Sequence, residues 1–207
     1  MLTQAAALVE LAIGDYAPIR SGYQMDIAGA ISEYLESEKA RVTKYKNQIK
    51  RAITESFPDA FYQGYQDGGG GGREEVQPED DSWLTAKMNN EYGFVDMLFE
   101  QLKALKAEGP EAYAGQAEQR AEGYAKTLDG VYNEGRMRGA GNKMLTFGGN
   151  DGQESCKTCQ KLKGKRHRAS WWVKHGLTIF RGNPNYECGC WNCEHFLFDD
   201  NGNLFTF

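Results

Sequence analysis

The sequence predicts a mainly α-helical protein that ends in a small, cysteine-rich α+β module closed by a β-hairpin. Three observations carry this prediction. Apolar residues recur at helical spacing through most of the first two thirds of the chain. All five cysteines of the 207 residues fall after position 155. From about Gly149 onward the periodicity stops, and turn residues and aromatics take over.

The opening apolar stretch, Leu2 to Ile13, carries Glu10 and lacks a basic leader, so it does not read as a secretory signal. From Ile27 to Phe57 the positions Ile27, Ile31, Leu35, Val42, Tyr45, Ile49, Ile53 and Phe57 return every three, four or seven residues among Glu, Lys and Arg. That pattern predicts one long amphipathic helix, ended or kinked at Pro58 and followed by a further turn carrying Phe61, Tyr62 and Tyr65. Gly68 to Gly72 and the acids Glu74, Glu75, Glu79, Asp80 and Asp81 then predict a flexible linker, because neither half can bury apolar surface. A phosphate loop is disfavoured there, since the glycines lack a following Gly-Lys-Ser/Thr.

Ser82 reads as the N-cap of a second helix through Leu84, Val95, Leu98, Phe99, Leu102 and Leu105, closed by Gly109-Pro110. A third helix is expected from Pro110, with Tyr113, Ala117, Tyr124, Leu128 and Val131 on one face. Gly130, Gly135, Gly139 and Gly141 then indicate either close helix packing or a frayed helix end. Gly148-Gly149-Asn150-Asp151-Gly152 marks a boundary, and Phe196 to Phe207 reads as two short strands joined at Asn201-Gly202. The expected organisation is therefore a helical region 1–67, a linker 68–81, a helical core region 82–148 and a cysteine-rich module 149–207.

Composition narrows the function classes. A net charge of −5 repels nucleic acid and anionic membrane on average, so any DNA contact has to be local. No run approaches the roughly 20 apolar residues needed to span a bilayer, and no membrane association is expected.

The cysteines form two Cys-x-x-Cys pairs, Cys156/Cys159 and Cys190/Cys193, with Cys188 two residues before the second. One tight turn can present both sulfurs of such a pair to one ion, and two turns complete a closed tetrahedral site, so a structural zinc is expected. Cys188, Cys193 and His195 supply the second half as well as Cys190 and Cys193 do, and the ligand set stays open between them. The bland alternative is reduced cysteines that simply pack, or a disulfide between the halves. A cysteine nucleophile needs a lone activated thiol with a histidine base, whereas these thiols come in metal-type pairs, so it is disfavoured, and no His-x-Glu precedes the pairs as a nucleobase deaminase requires. Between the pairs lie Lys157, Lys161, Lys163, Lys165, Arg166, His167 and Arg168, then Trp171-Trp172. Lys161, Lys163, Lys165, Arg166 and Arg168 are candidate contacts to a DNA backbone, with an acidic protein surface as the other possible partner. The tryptophans are expected to fill the core of the module.

The order of features is also informative. A glycine-spaced helix, Tyr132-Asn133-Glu134-Gly135-Arg136, is followed by Met144-Leu145-Thr146-Phe147, by Cys156-Lys157-Thr158-Cys159 running on to Leu162-Lys163-Gly164, by Trp172 and Pro184, and by the cysteine cluster ending at Leu197. From about Tyr124 to Leu197 this resembles the head morphogenesis domain of tailed bacteriophages, the family of the Mu F-type minor head proteins. The resemblance implies a low-copy minor capsid protein, without catalytic turnover or small-molecule substrate. It would be made in the host cytoplasm beside the portal and major capsid proteins, would assist prohead assembly near the portal vertex, and would belong to the virion head. In related systems such proteins are proposed to influence DNA packaging or ejection. Cys156, Cys159 and Cys193 sit on the family's cysteine positions and Cys188 on the first of its C-terminal cluster. The family's last cysteine is His195 here, and Cys190 stands where a glycine is usual. The resemblance thus favours Cys156, Cys159 and Cys193 as ligands, with Cys190, Cys188 and His195 competing for the fourth place.

Overall fold

The computed structural model describes residues 15–149, 155–180, 182–187, 189 and 195–206. The chain is mainly helical with a small antiparallel sheet, as its periodicity predicts. The helices are α1 (Tyr16–Glu36), α2 (Val42–Gly68), α3 (Pro78–Glu108), α4 (Pro110–Tyr113), α5 (Gln116–Ala140), α6 (Lys157–Leu162) and α7 (Ala169–Lys174); the strands are β1 (Met144–Gly149), β2 (Arg166–Arg168) and β3 (His195–Phe198). Among the described residues no helix is long and apolar enough to cross a membrane. The chain forms two compact units, each discontinuous in sequence: one from Pro18–Asp59 and Gln77–Leu128, the other from residues 15–17, Ala60–Val76 and the described residues from Asp129 onward.

The first unit is all helix. Its core takes Tyr23, Ile27, Ile31 and Leu35 from α1, Tyr45, Ile49, Ile53 and Phe57 from α2, and Leu84, Val95, Leu98, Phe99 and Leu102 from α3, as the apolar spacing predicts. Tyr34 meets Tyr45 and Phe99 edge-on, with ring centroids 5.8 and 5.0 Å apart. The single helix expected over 27–57 is two, because the chain leaves helical geometry between Glu36 and Val42. Only Ala40 is apolar in that interval, so nothing there anchors a continuous stripe. Lys106 donates to the carbonyls of Tyr34 and Ser37, placing a cation on carbonyls that the last turn of α1 leaves open.

Pro58 does not end the helix: α2 runs through it to Gly68. An interior proline costs about 3 kcal/mol, and complete burial of Phe57, Ala60 and Phe61 around it offsets that loss. The expected linker 68–81 is also structured. Gly69, at φ +105°, stops α2 in a Schellman arrangement, with the Gly69 and Gly70 N–H groups donating to the carbonyls of Gln66 and Tyr65. A 3-10 turn, Arg73–Glu75, follows, with the Arg73 guanidinium 4.1 Å above the Tyr62 ring. The acids Glu79, Asp80 and Asp81 fill the first turn of α3, where the helix dipole favours them. The N-cap is Gln77, reciprocally bonded with Asp80, and not Ser82, whose hydroxyl donates to the Pro78 carbonyl inside the helix. The third helix is likewise divided, at Ala114-Gly115, where Gly115 has φ +70°.

In the second unit the C-terminal parts of α2 and α5 lie backbone against backbone. A Cβ on Gly135 would stand 2.0 Å from the Phe61 carbonyl oxygen, and one on Gly139 1.9 Å from that of Tyr65. Reciprocally, a Cβ on Gly64 or Gly68 would stand 2.1 or 2.2 Å from the carbonyl oxygen of Tyr132 or Arg136. Positions rise together along both helices, so the pair is parallel. Gly135 and Gly139 therefore serve close packing, whereas Gly141, at φ +49°, ends the helix.

After α5 the chain forms the sheet in the order β2-β1-β3, with Leu145 opposite His167 and Phe147 opposite Leu197. Met137, Leu145, Phe147, Cys159, Trp172, Tyr186 and Leu197 form its core. β1 thus pairs across the expected boundary at residue 149. The expected terminal hairpin is shorter than two strands: β3 pairs with β1, and Leu204 returns to Phe198 through a single bridge. The turn is built by Asp199, whose carboxylate accepts from the Asn201 and Asn203 N–H groups at 2.9 Å, with Gly202 at φ +77°.

Gly135→Ala and Gly139→Ala are each expected to destabilise the protein by at least the roughly 1–3 kcal/mol typical of overpacking, because the obstacle is backbone and cannot rotate away. Gly93→Ala, in a helix with nothing within 4 Å of the new methyl, is expected to stabilise by up to about 1 kcal/mol. Urea unfolding of the three variants checks both signs.

Candidate metal centre

Cys156 is the N-cap of α6, and its sulfur accepts a hydrogen bond from the Cys159 N–H at 3.5 Å. The turn brings the two sulfurs within 3.4 Å of each other. Two thiolates each about 2.3 Å from a zinc ion can stand that close, so the pair fits half of a tetrahedral site. Cys159 is fully buried in the module core, while Cys156 is half-buried. The turn is tied down on several sides: the Gln160 amide donates to the Ser155 carbonyl at 2.7 Å, and the Lys157 N–H to the Glu187 carboxylate at 3.2 Å. Where α6 ends, the Gly164 N–H donates to the Phe147 carbonyl, and the Phe147 N–H to that of Lys165, both at 2.9 Å.

His195 opens β3 and is buried, its ring stacked on Phe147 with centroids 5.2 Å apart. Its Nε2 lies 3.4 Å from the hydroxyl of Ser155, the residue before Cys156. Its Nδ1 is buried without a hydrogen-bond partner among the described residues. Burial pushes the imidazole below its ordinary range and the Lys163 cation adds to this, so the ring is neutral at pH 7, the form that ligates metal. Cys188, Cys190 and Cys193 lie outside the described residues. Among the described residues no group of three His, Cys, Asp or Glu side chains converges as a metal site, and the Cys156/Cys159 pair is what the structure brings together.

The loop leading to the second cysteine cluster is organised by two residues that the motif reading passes over. Asn183, fully buried, donates from Nδ2 to the carbonyls of Gly176 and Thr178 at 2.9 and 2.7 Å and accepts from the Asn185 N–H at 3.0 Å. Tyr186 donates its hydroxyl to the Leu177 carbonyl at 2.6 Å and buries its ring beside Phe147. The signal available in the sequence is Gly182-Asn183-Pro184-Asn185, a turn run whose asparagines can replace backbone partners.

Lys161, Lys163, Lys165, Arg166 and Arg168 are all exposed. Arg166 is engaged with Asp200, two of its nitrogens lying 3.1 and 2.8 Å from one carboxylate oxygen. The two tryptophans part company. Trp172 is fully buried with its N–H on the Leu145 carbonyl, while Trp171 stays half-buried and stacks with His167 and His175, centroids 3.7 and 4.1 Å away.

Comparison of the chain with models of protein families, with curated proteins and with solved structures found no match.

Asn183→Ala is expected to cost about 1–3 kcal/mol, because it strands the buried Thr178 carbonyl and takes one of two donors from the Gly176 carbonyl. Asn185→Ala, which removes an exposed bond to Gly176, is expected to cost less. Thermal unfolding of the two variants beside the parent distinguishes them.

Proposed function

We propose that this protein is a non-catalytic minor capsid component of the head-morphogenesis type, assisting prohead assembly near the portal vertex, with a structural zinc in its C-terminal module. The observation that carries the reading is the Cys156/Cys159 turn, its sulfurs 3.4 Å apart, packed under a sheet that follows directly from the glycine-packed end of α5. That is the order of features on which the resemblance to the phage family rests. Cys156 and Cys159 would hold one side of the metal, and Cys193 with one of Cys190, Cys188 and His195 the other. The buried, neutral His195, whose Nδ1 has no partner among the described residues, suits such a place. The metal's contribution is structural: it closes four coordination positions and joins two chain segments across a small core.

In this reading the long helices supply the partner surfaces. Phe94 and Met97 on α3 are exposed, 45% and 53%, one turn apart, and they offer an apolar contact to a portal or major capsid subunit. The protein would act in the host cytoplasm during assembly and remain at the head near the portal.

Elemental analysis of the purified chain is expected to give about one zinc per chain, lost in Cys156→Ser along with a large part of the module's stability, since structural zinc contributes on the order of 10 kcal/mol. A metal-free protein with all five thiols titratable would overturn the zinc assignment. Incorporation into proheads, followed in a phage assembly system, is expected to fall in Phe94→Ser/Met97→Ser, while the variant's zinc content and unfolding temperature stay at the parent's values.

A further inference from the structure

Within the second unit, β2 and α7 border an open recess of about 580 Å³ lined by Arg166, His167, Arg168, Ser170, Trp171 and Lys174 among others. We infer that this recess binds single-stranded nucleic acid, with Arg168 and Lys174 on phosphates and the His167–Trp171–His175 stack extended on its His167 side by an unpaired base. The inference does not depend on the zinc or capsid reading.

Charge is the first support. From Lys157 to Lys174 there are seven Lys and Arg and no Asp or Glu, in a chain whose net charge is −5. Three of the seven, Arg166, Arg168 and Lys174, line the recess. Arg166 is already committed to Asp200, but Arg168 and Lys174 have no carboxylate partner among the described residues. They border the recess from the two ends of α7, with Trp171 between them in sequence.

The aromatic arrangement is the second support, and it favours nucleic acid over an acidic peptide. A tryptophan needed only for the core is buried, as Trp172 is. Trp171 instead lies half-buried at the recess, stacked with both His167 and His175, centroids 3.7 and 4.1 Å away, so that a base would extend this column of rings from the His167 side, which lines the recess. Flat rings beside cations match a base and its phosphate together, and base stacking tolerates any sequence. An acidic peptide needs cations alone. Protection of the unpaired side of β2, an edge strand, would account for Arg166 and Arg168, but not for Trp171 or Lys174.

Fluorescence anisotropy of labelled oligothymidylate with the full chain, repeated over a salt series, tests the assignment. Arg168→Gln/Lys174→Gln, two exposed positions, is expected to weaken binding about tenfold or more and to reduce the slope of log K against log salt by about 1.4, or roughly 0.7 for each phosphate contact on a single strand. Trp171→Leu is expected to weaken binding with the salt slope unchanged, as loss of stacking requires. The inference is overturned if the parent protein does not bind, or if the double variant matches it in affinity and slope. It is also overturned if polyglutamate competes as well as unlabelled oligothymidylate does and Trp171→Leu binds like the parent, which would identify an acidic protein surface as the ligand. Circular dichroism of each variant separates loss of the recess from loss of the fold.

Discussion

The backbone contact between α2 and α5 is the constraint on which the second unit depends. With Gly64 and Gly68 on one helix and Gly135 and Gly139 on the other, carbonyl oxygens occupy the space that a Cβ would need. At that separation neither helix can slide or rotate without driving a Cα into a carbonyl, so the contact fixes both register and direction. α5 then stops at Gly141 in a fixed place, and β1 starts three residues later. Two further bonds lock the exit, from the Ala169 and Ser170 N–H groups to the carbonyls of Lys143 and Gly141, so the start of α7 hangs on the same turn. Met137, one turn back on α5, enters the core that Leu145, Phe147 and Trp172 complete. The position of the whole sheet thus descends from a helix pair that has no side chains at its seam.

Such a close approach leaves little apolar surface to bury along the seam itself, and α5 also buries polar groups, of which Tyr132 and Glu134 are satisfied while the Arg136 Nε has no hydrogen-bond partner among the described residues. Tyr132 is fully buried, stacked on Tyr16 at 4.2 Å, and donates its hydroxyl to Asp67 at 2.6 Å. Burial and the neighbouring Asp67 carboxylate raise its phenol well above the ordinary range, so it is protonated and a donor at neutral pH. Glu134, 3% exposed, is met one turn on by Arg138 with nitrogens at 2.7 and 2.8 Å. The Arg136 guanidinium covers the Phe205 ring at 4.6 Å and so brings the C-terminal segment onto the same helix. Removing one partner from pairs this buried is costly, whereas the intact pairs mainly specify which face of α5 points inward.

What could be read in the sequence follows from which forces are local. The helical stripes were legible because burial repeats with the helix: Tyr45, Ile49, Ile53 and Phe57 are all in the core. The break between α1 and α2 was not, since the capping group that closes it, Lys106, is about 70 residues away in sequence. The glycine run read as a linker because composition carries no information about φ, whereas a single left-handed residue, Gly69, makes it a helix stop. The same limit applies at the candidate site. The Cys156-x-x-Cys159 turn is a local spacing and was visible. Asn183 was not, because its value lies in two carbonyls, of Gly176 and Thr178, that only the folded loop points at it.

The thiol turn and the basic edge are one piece of chain, and this links the two chemistries of the module. α6 ends at Leu162, Gly164 and Lys165 dock on Phe147, and β2 begins with Arg166 at the next residue. Anything that immobilises the Cys156–Cys159 turn therefore also fixes the strand that carries Arg166 and Arg168. Electrostatics point the same way. Four thiolates on one divalent cation leave a net negative centre, and three thiolates with a neutral histidine leave less of one; nearby lysines stabilise either. On the zinc reading, Lys157, which lies between the two cysteines, and Lys161 and Lys163, which follow them, lie close enough along the chain to offset that charge. Arg168 and Lys174 are further along the chain and border the recess. If both proposals hold, the cations between residues 157 and 174 would have two uses along a single segment: one beside a metal-bound turn, the other facing a partner.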